Sequence, residues 1–80
     1  MTDEWINYKG DKLTSPEQVK GHNKLSDSDK RLFTEFLQHF YKAWEYPEDH
    51  LPIKVEAAKG YLKVTFNDMW LHVLNASTWY

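Results

Sequence analysis

The sequence predicts an α+β domain in which one long amphipathic helix packs on a three-stranded antiparallel β-meander. Two patterns indicate this fold. Apolar residues recur with a helical period across residues 26–46, and from residue 53 onward they alternate with polar residues, as in strands. Because each element has one apolar side, the helix and the sheet can bury those sides against each other.

The 80 residues are expected to form a single small domain. An N-terminal strand and a short helix occupy 1–25, the main helix 26–46, the meander 52–75, and an aromatic tail 76–80. The chain contains no cysteine, so neither disulfides nor thiolate metal sites can stabilise it. Aromatic residues make up 16% of the sequence, which indicates an aromatic core, an aromatic surface, or both.

The N-terminal part shows two short predicted elements. Residues 5–8, Trp-Ile-Asn-Tyr, have the composition of a short strand and precede a turn around Gly10. Further on, Thr14 or Ser15 stands before Pro16, and Gly21 follows five residues later. These are start and stop signals for a helix of one or two turns over 16–20.

The main helix has an almost complete separation of apolar and polar residues. Ser26 and Asp29 have the spacing of a capping box, and Pro47 disfavours helical geometry at Tyr46. The helix is therefore predicted to start after Ser26 and to stop near 44–46. Its apolar half contains Leu32, Phe33, Phe36, Leu37, Phe40, Tyr41, Ala43 and Trp44.

The meander is predicted to have strands near 53–56, 61–66 and 69–74. Residues 57–60 form the first turn, and Asn67-Asp68 can form a two-residue hairpin loop because both residue types tolerate a positive φ. This loop fixes the register of the two later strands, and all apolar residues then share one face. The predicted inner face contains Ile53, Val55, Leu62, Val64, Phe66, Met69, Leu71 and Val73.

The opposite face of the predicted sheet provides the candidate binding residues, which are Lys54, Tyr61, Lys63, Trp70 and His72. A face exposed to solvent has little need for a tryptophan and a tyrosine together. Three interpretations follow. The face is covered by residues 5–8 or by Trp79-Tyr80, it binds another protein or a second copy of the chain, or it stacks on single-stranded nucleic acid.

No motif in the sequence indicates catalysis or a bound cofactor. The chain lacks a nucleophile elbow, a glycine-rich phosphate loop and a zinc-protease motif, so no catalytic residue is expected. Glu35 and His39 are one helical turn apart and could share a metal ion, but two ligands do not make a site. We therefore expect neither a metal nor another cofactor.

The charge and hydropathy of the chain indicate which location and which kinds of partner are expected. Its formal net charge is −2, which disfavours a partner held chiefly by its phosphates. Neither a secretory signal nor an apolar run of membrane-spanning length is recognisable, so a cytoplasmic location away from membranes is expected. The sequence thus favours a non-enzymatic protein-interaction or regulatory module, with single-stranded nucleic-acid binding as the alternative.

Overall fold

One α-helix packs on a four-stranded antiparallel sheet in the computed structural model, which describes residues 5–6, 10, 12–44 and 46–80. The helix, α1, spans Asp27–Lys42. The sheet has the order β1-β2-β3-β4, and the predicted α+β class is confirmed. Its strands are Pro52–Ala58 (β1), Tyr61–Phe66 (β2), Trp70–Asn75 (β3) and Thr78–Trp79 (β4).

Helix α1 begins as predicted and ends earlier than predicted. The Ser26 hydroxyl accepts a hydrogen bond from the Asp29 N–H at 3.2 Å, which satisfies one free donor of the first turn. At the other end, the Ala43 N–H donates to two carbonyl groups, those of His39 and Phe40, and this tightens the last turn. Consequently Ala43 and Trp44, expected on the apolar half, lie beyond the helix and are exposed.

The hairpin between β2 and β3 has the predicted register. Leu62 pairs with Val73 and Val64 pairs with Leu71, so these side chains share the inner face. The Phe66 N–H donates to the Met69 carbonyl at 2.6 Å and closes the two-residue loop. The expected use of positive φ in this loop is wrong, because no described residue other than glycine has a positive φ.

Strand β1 differs from its predicted course at both ends. It continues to Ala58, and the turn to β2 is only Lys59-Gly60, with Gly60 at φ +89°. At the start of the strand the register shifts between Pro52 and Lys54. This bulge gives the inner position to Pro52 and leaves Ile53 54% exposed, so the prediction that Ile53 faces the core is wrong.

Residues 76–80, predicted as a tail, contain the fourth strand. The Ser77 N–H donates to Asn75 Oδ1 at 2.9 Å, and the chain then reverses to pair with β3. Beyond Trp79, the N–H and the carbonyl of Tyr80 both bond to His72, at 3.0 and 2.8 Å. Because side chains alternate along a strand, Trp79 faces the helix and Tyr80 faces away from it.

The predicted N-terminal strand is partly seen, and the predicted short helix is a single 3₁₀ turn. Ile6 forms an antiparallel bridge with Lys12, whereas residues 7–9 of the predicted strand and turn lie outside the described residues. The 3₁₀ turn spans Pro16–Gln18, and a second follows at His22–Lys24. Trp5 packs against Tyr41 with ring centroids 6.0 Å apart, on the helix side of the molecule.

The segment between the two 3₁₀ turns lies against the outer edge of β1. The Lys20 N–H donates to the Ile53 carbonyl at 3.3 Å, and the Val55 N–H donates to the Lys20 carbonyl at 2.9 Å. Gly21 then turns the chain away at φ +93°. A Cβ atom on Gly21 would lie 2.3 Å from the Val55 carbonyl oxygen, so only glycine fits this position.

The core between α1 and the inner sheet face is strongly aromatic. Phe40 is fully buried, with its ring centroid 4.8 Å from Phe66 and 5.4 Å from Phe36. Trp79 packs edge-on against Phe36 at 5.2 Å. Large rings bury much apolar area per residue, which compensates for the small number of core residues in a short chain.

Candidate functional site

The side chains that face away from α1 form the surface called here the outer face. The strand pairing orders them in rows across the sheet. One row contains Lys54, Thr65 and Trp70, and the next contains Glu56, Lys63, His72 and Tyr80. Tyr61 lies diagonally next to His72. The five candidate residues predicted from the sequence are therefore all on this one surface.

His72 lies at the centre of a cluster of aromatic rings on the outer face. Its ring is 4.6 Å from the ring of Tyr61 and 4.9 Å from that of Trp70, and both contacts are nearly perpendicular. The Tyr80 ring lies 5.1 Å away on the other side, because its backbone pairs with His72. Edge-to-face contacts are favourable for aromatic pairs, so Tyr61 and Trp70 hold the His72 ring between them, while the Tyr80 ring packs against it at a tilt of 47°.

Trp70 remains accessible within this cluster. Trp70 is 54% exposed, and Tyr80 is 67% exposed. The two other tryptophans that could have covered the face lie elsewhere, since Trp5 contacts Tyr41 and Trp79 packs against Phe36. Tyr80 flanks His72 at the edge of the cluster and leaves Trp70 open to solvent.

The charged side chains of the outer face largely compensate one another. Lys54 Nζ lies 3.3 Å from Glu56 Oε2, and both groups are about half exposed. Lys63 Nζ lies 5.2 Å from the centre of the Trp70 ring, within the range of a cation–π contact. The outer face therefore carries a single lysine without a carboxylate partner among these residues, and that lysine is already placed on the exposed ring.

Tyr80 is the member of the cluster that the sequence prediction did not place. Its position follows from β4, a strand of only two residues. A weak signal was present, because Asn75, Ala76 and Ser77 can form a turn, and threonine, tryptophan and tyrosine at 78–80 are residue types favoured in strands.

Two other histidines, His39 and His50, have separate environments. His39 lies on the polar side of α1, while His50 lies 3.0 Å from Asp68 and 4.1 Å from the ring of Trp44. Within the described part of the chain, no three histidine or acidic side chains are grouped to hold a metal ion. None of the described helices has the length and apolar character that crossing a membrane requires.

The size of the outer face limits what it can bind. Strands of six residues extend for about 20 Å, and four strands spaced by about 4.8 Å cover about 15–19 Å, which gives roughly 300–400 Å². A standard protein interface buries about 800 Å² on each partner. The outer face is thus large enough for a small or transient contact.

Comparison with known proteins gives no relative. The chain matches no protein-family model, and neither the curated proteins nor the solved structures yield a significant match.

Proposed function

We propose that this protein acts by binding another protein through the outer face, without catalysis. The observation that carries the proposal is the half-exposed Trp70 beside an ordered cluster of Tyr61, His72 and Tyr80. Tryptophan and tyrosine are among the residue types that most often dominate the energy of protein interfaces. The charges on this surface are nearly balanced, which favours an apolar contact over an ionic one.

The geometry of the cluster lowers the entropic cost of binding. Trp70 and Tyr61 are both packed edge-on against His72, whose backbone is fixed by β2 and by Tyr80. A side chain that is already ordered loses less rotamer freedom when a partner immobilises it. Since the surface is small, we expect a weak and reversible complex.

A second copy of the chain is the first partner to test. Molar mass is measured by light scattering after size-exclusion chromatography, over a wide concentration range and at two salt concentrations. If the chain associates through the outer face, the mass rises with concentration, changes little with salt, and returns to the monomer value in Trp70→Ala. Tyr46→Ala is the matched control, because Tyr46 is an exposed aromatic residue outside the sheet.

If the chain is a monomer at all concentrations, the next experiment is a search for a different protein partner. A photoreactive phenylalanine analogue is placed at Trp70 or, as the control, at Tyr46, and each protein is irradiated in extract of its source cells. A discrete protein adduct that forms at position 70, is absent at position 46 and is competed by unlabelled protein supports the proposal. If the chain is monomeric and position 70 yields no protein adduct, the proposal is wrong.

Single-stranded nucleic acid is the second candidate ligand of the outer face. The contact between Lys63 and Trp70 favours it, because stacking recognition combines an exposed ring with a nearby cation. The net charge of −2 counts against it. Quenching of tryptophan fluorescence by a thymidine oligonucleotide of about 10 nucleotides tests this candidate, and phosphate-driven binding must weaken steeply as salt is raised.

A further inference from the structure

A groove separate from the aromatic cluster lies between the outer edge of β1 and the 3₁₀ turn His22–Lys24. Its volume is about 560 Å³, within the range of roughly 300–1,000 Å³ found for ligand-binding clefts. Apolar atoms of Leu25 and Val55 contribute to its lining, with Lys20, Lys24 and Ala57 around them. Of the described residues, two belong both to this groove and to the outer face, and they are Lys54 and Glu56.

The groove exists because the neighbouring chain leaves β1 after a single bridge. The Lys20 backbone hydrogen-bonds to the Ile53 carbonyl and the Val55 N–H. Gly21, at φ +93°, then directs the chain away from the strand. In an antiparallel pair the backbone groups of alternate residues point to opposite edges. Because the Val55 N–H points outward to Lys20, the N–H and the carbonyl of Ala57 also point outward, into the groove.

The backbone of Ala57 is therefore an open position on a sheet edge. Within the described part of the chain, no residue pairs with its N–H or its carbonyl from the groove side. A donor and an acceptor side by side on an edge are matched by another extended backbone, which adds to the sheet as a further strand. The groove provides room for such a segment beside Ala57.

The charges around the groove determine which charge a bound peptide segment should carry. Among the described residues that line the groove, Glu56 is the only acidic one, and it is paired with Lys54 at 3.3 Å. The lysines at positions 20 and 24 are exposed, and no acidic residue in the described part of the lining is paired with either of them. Lysines at a sheet edge oppose pairing with a second basic edge, whereas they attract a strand that carries carboxylates.

We propose that this groove binds an extended acidic peptide segment, which pairs with the Ala57 backbone and places its carboxylates near Lys20 and Lys24. With one residue of open edge and two exposed charges, the affinity is expected to be low. This surface shares only its Lys54–Glu56 border with the outer face, and the two can be tested in the same experiment because Ala57 and Lys24 give signals separate from those of Trp70 and His72.

The test is a titration followed by backbone amide NMR shifts of the full chain. The probe is an acetylated hexapeptide that alternates glutamate and valine. Saturable shifts at Ala57, Gly21 and Lys24, with the Trp70 and His72 signals unchanged, are the expected result. The double variant Lys20→Gln/Lys24→Gln should bind about fivefold more weakly, the effect expected for two exposed ion pairs, while Lys42→Gln on the helix should bind normally.

Three control ligands separate strand addition from simple charge attraction. A peptide that alternates lysine and valine should not bind, and neither should the glutamate peptide when its backbone nitrogens are methylated at alternate positions. Inorganic phosphate should leave the Ala57 signal unmoved. Equal binding of the methylated peptide, the same shifts with phosphate, or no saturable shift with the glutamate peptide would each overturn the proposal.

Discussion

The two faces of the sheet carry similar rings in different surroundings. At the inner face, the Phe40 ring of α1 lies 4.8 Å from the Phe66 ring of β2, and both residues are fully or almost fully buried. On the outer face, the Trp70 and His72 rings are 4.9 Å apart, yet Trp70 is half exposed. The distance between the rings is nearly the same in the two pairs, but their exposure to solvent differs. Contact between rings can thus order a surface without adding it to the core, which leaves that surface available for a partner.

The largest expected difference between the faces is in stability. Phe40→Ala should lower the free energy of unfolding by about 3–5 kcal/mol, because it removes a buried ring at the centre of the aromatic core. Trp70→Ala should change it by less than about 1 kcal/mol, since its ring is half solvated. Urea denaturation followed by circular dichroism measures both.

A loss of about 3–5 kcal/mol approaches the whole stability expected for a domain of 80 residues, roughly 4–12 kcal/mol. If Phe40→Ala does not fold, Phe40→Leu retains part of the buried volume and keeps the comparison measurable. Similar losses for Phe40→Leu and Trp70→Ala would contradict the assignment of core and surface.

Trp79 and Tyr80 are adjacent in the sequence but face opposite sides of the sheet, so they provide a second test of the difference in stability between the two faces. Trp79→Ala should cost about 1–3 kcal/mol, below the value for a fully buried ring, because Trp79 is partly buried against Phe36. Tyr80→Ala should cost less than about 1 kcal/mol, because that side chain is mostly exposed. The same denaturation experiment applies, and a larger loss for Tyr80→Ala would mean that β4 has the opposite alternation.

Features of the fold that depend on residues close together in the sequence are predictable, whereas features that depend on distant segments are not. Helix α1 and the β2–β3 register follow from local periodicity and from a loop of fixed length, so the sequence predicts them. The predicted inward position of Ile53 is wrong because a bulge depends on the strand that pairs with it, opposite Phe66. A two-residue strand such as β4 is too short to show a clear period.

The candidate site is predictable in composition and less so in geometry. Alternation along the strands is enough to assign Tyr61, Lys63, Trp70 and His72 to one face. That Trp70 stays open while Trp79 turns inward depends on long-range packing against Phe36, which no local pattern contains. The groove beside Ala57 depends likewise on a close approach of the chain near Lys20 to β1, across a sequence separation of more than thirty residues.

Tyr41 on the helix side should give a smaller effect that depends on pH. Its hydroxyl donates to the Thr14 carbonyl at 2.7 Å, and burial raises the pKa of this phenol above its ordinary value of 10.0. Tyr41→Phe should therefore cost about 1 kcal/mol at neutral pH. In the native protein Tyr41 keeps its proton above pH 10, whereas the unfolded chain loses it there, so this contribution to stability falls as the pH rises.

The measurement is the difference in unfolding free energy between the native sequence and Tyr41→Phe, at pH values about one unit below and above 10. The advantage of the native sequence should shrink above about pH 10, by at most about 1.4 kcal/mol per pH unit for one group. The control is Tyr46→Phe, which alters an exposed tyrosine. A difference that stays constant across this range would show that the Tyr41 phenol is not protected by burial.

The smallest expected effect concerns the outer face alone. Lys63→Gln removes the ammonium group 5.2 Å from the Trp70 ring, and an exposed cation–π contact contributes about 0.5–1 kcal/mol. The loss should appear in the native background and disappear when Trp70 is already alanine, as a double-mutant cycle measures. Equal losses in both backgrounds would mean that Lys63 acts elsewhere and that the Trp70 ring is fully open to a partner. If the coupling is present, a partner that stacks on Trp70 must displace this lysine or accommodate it.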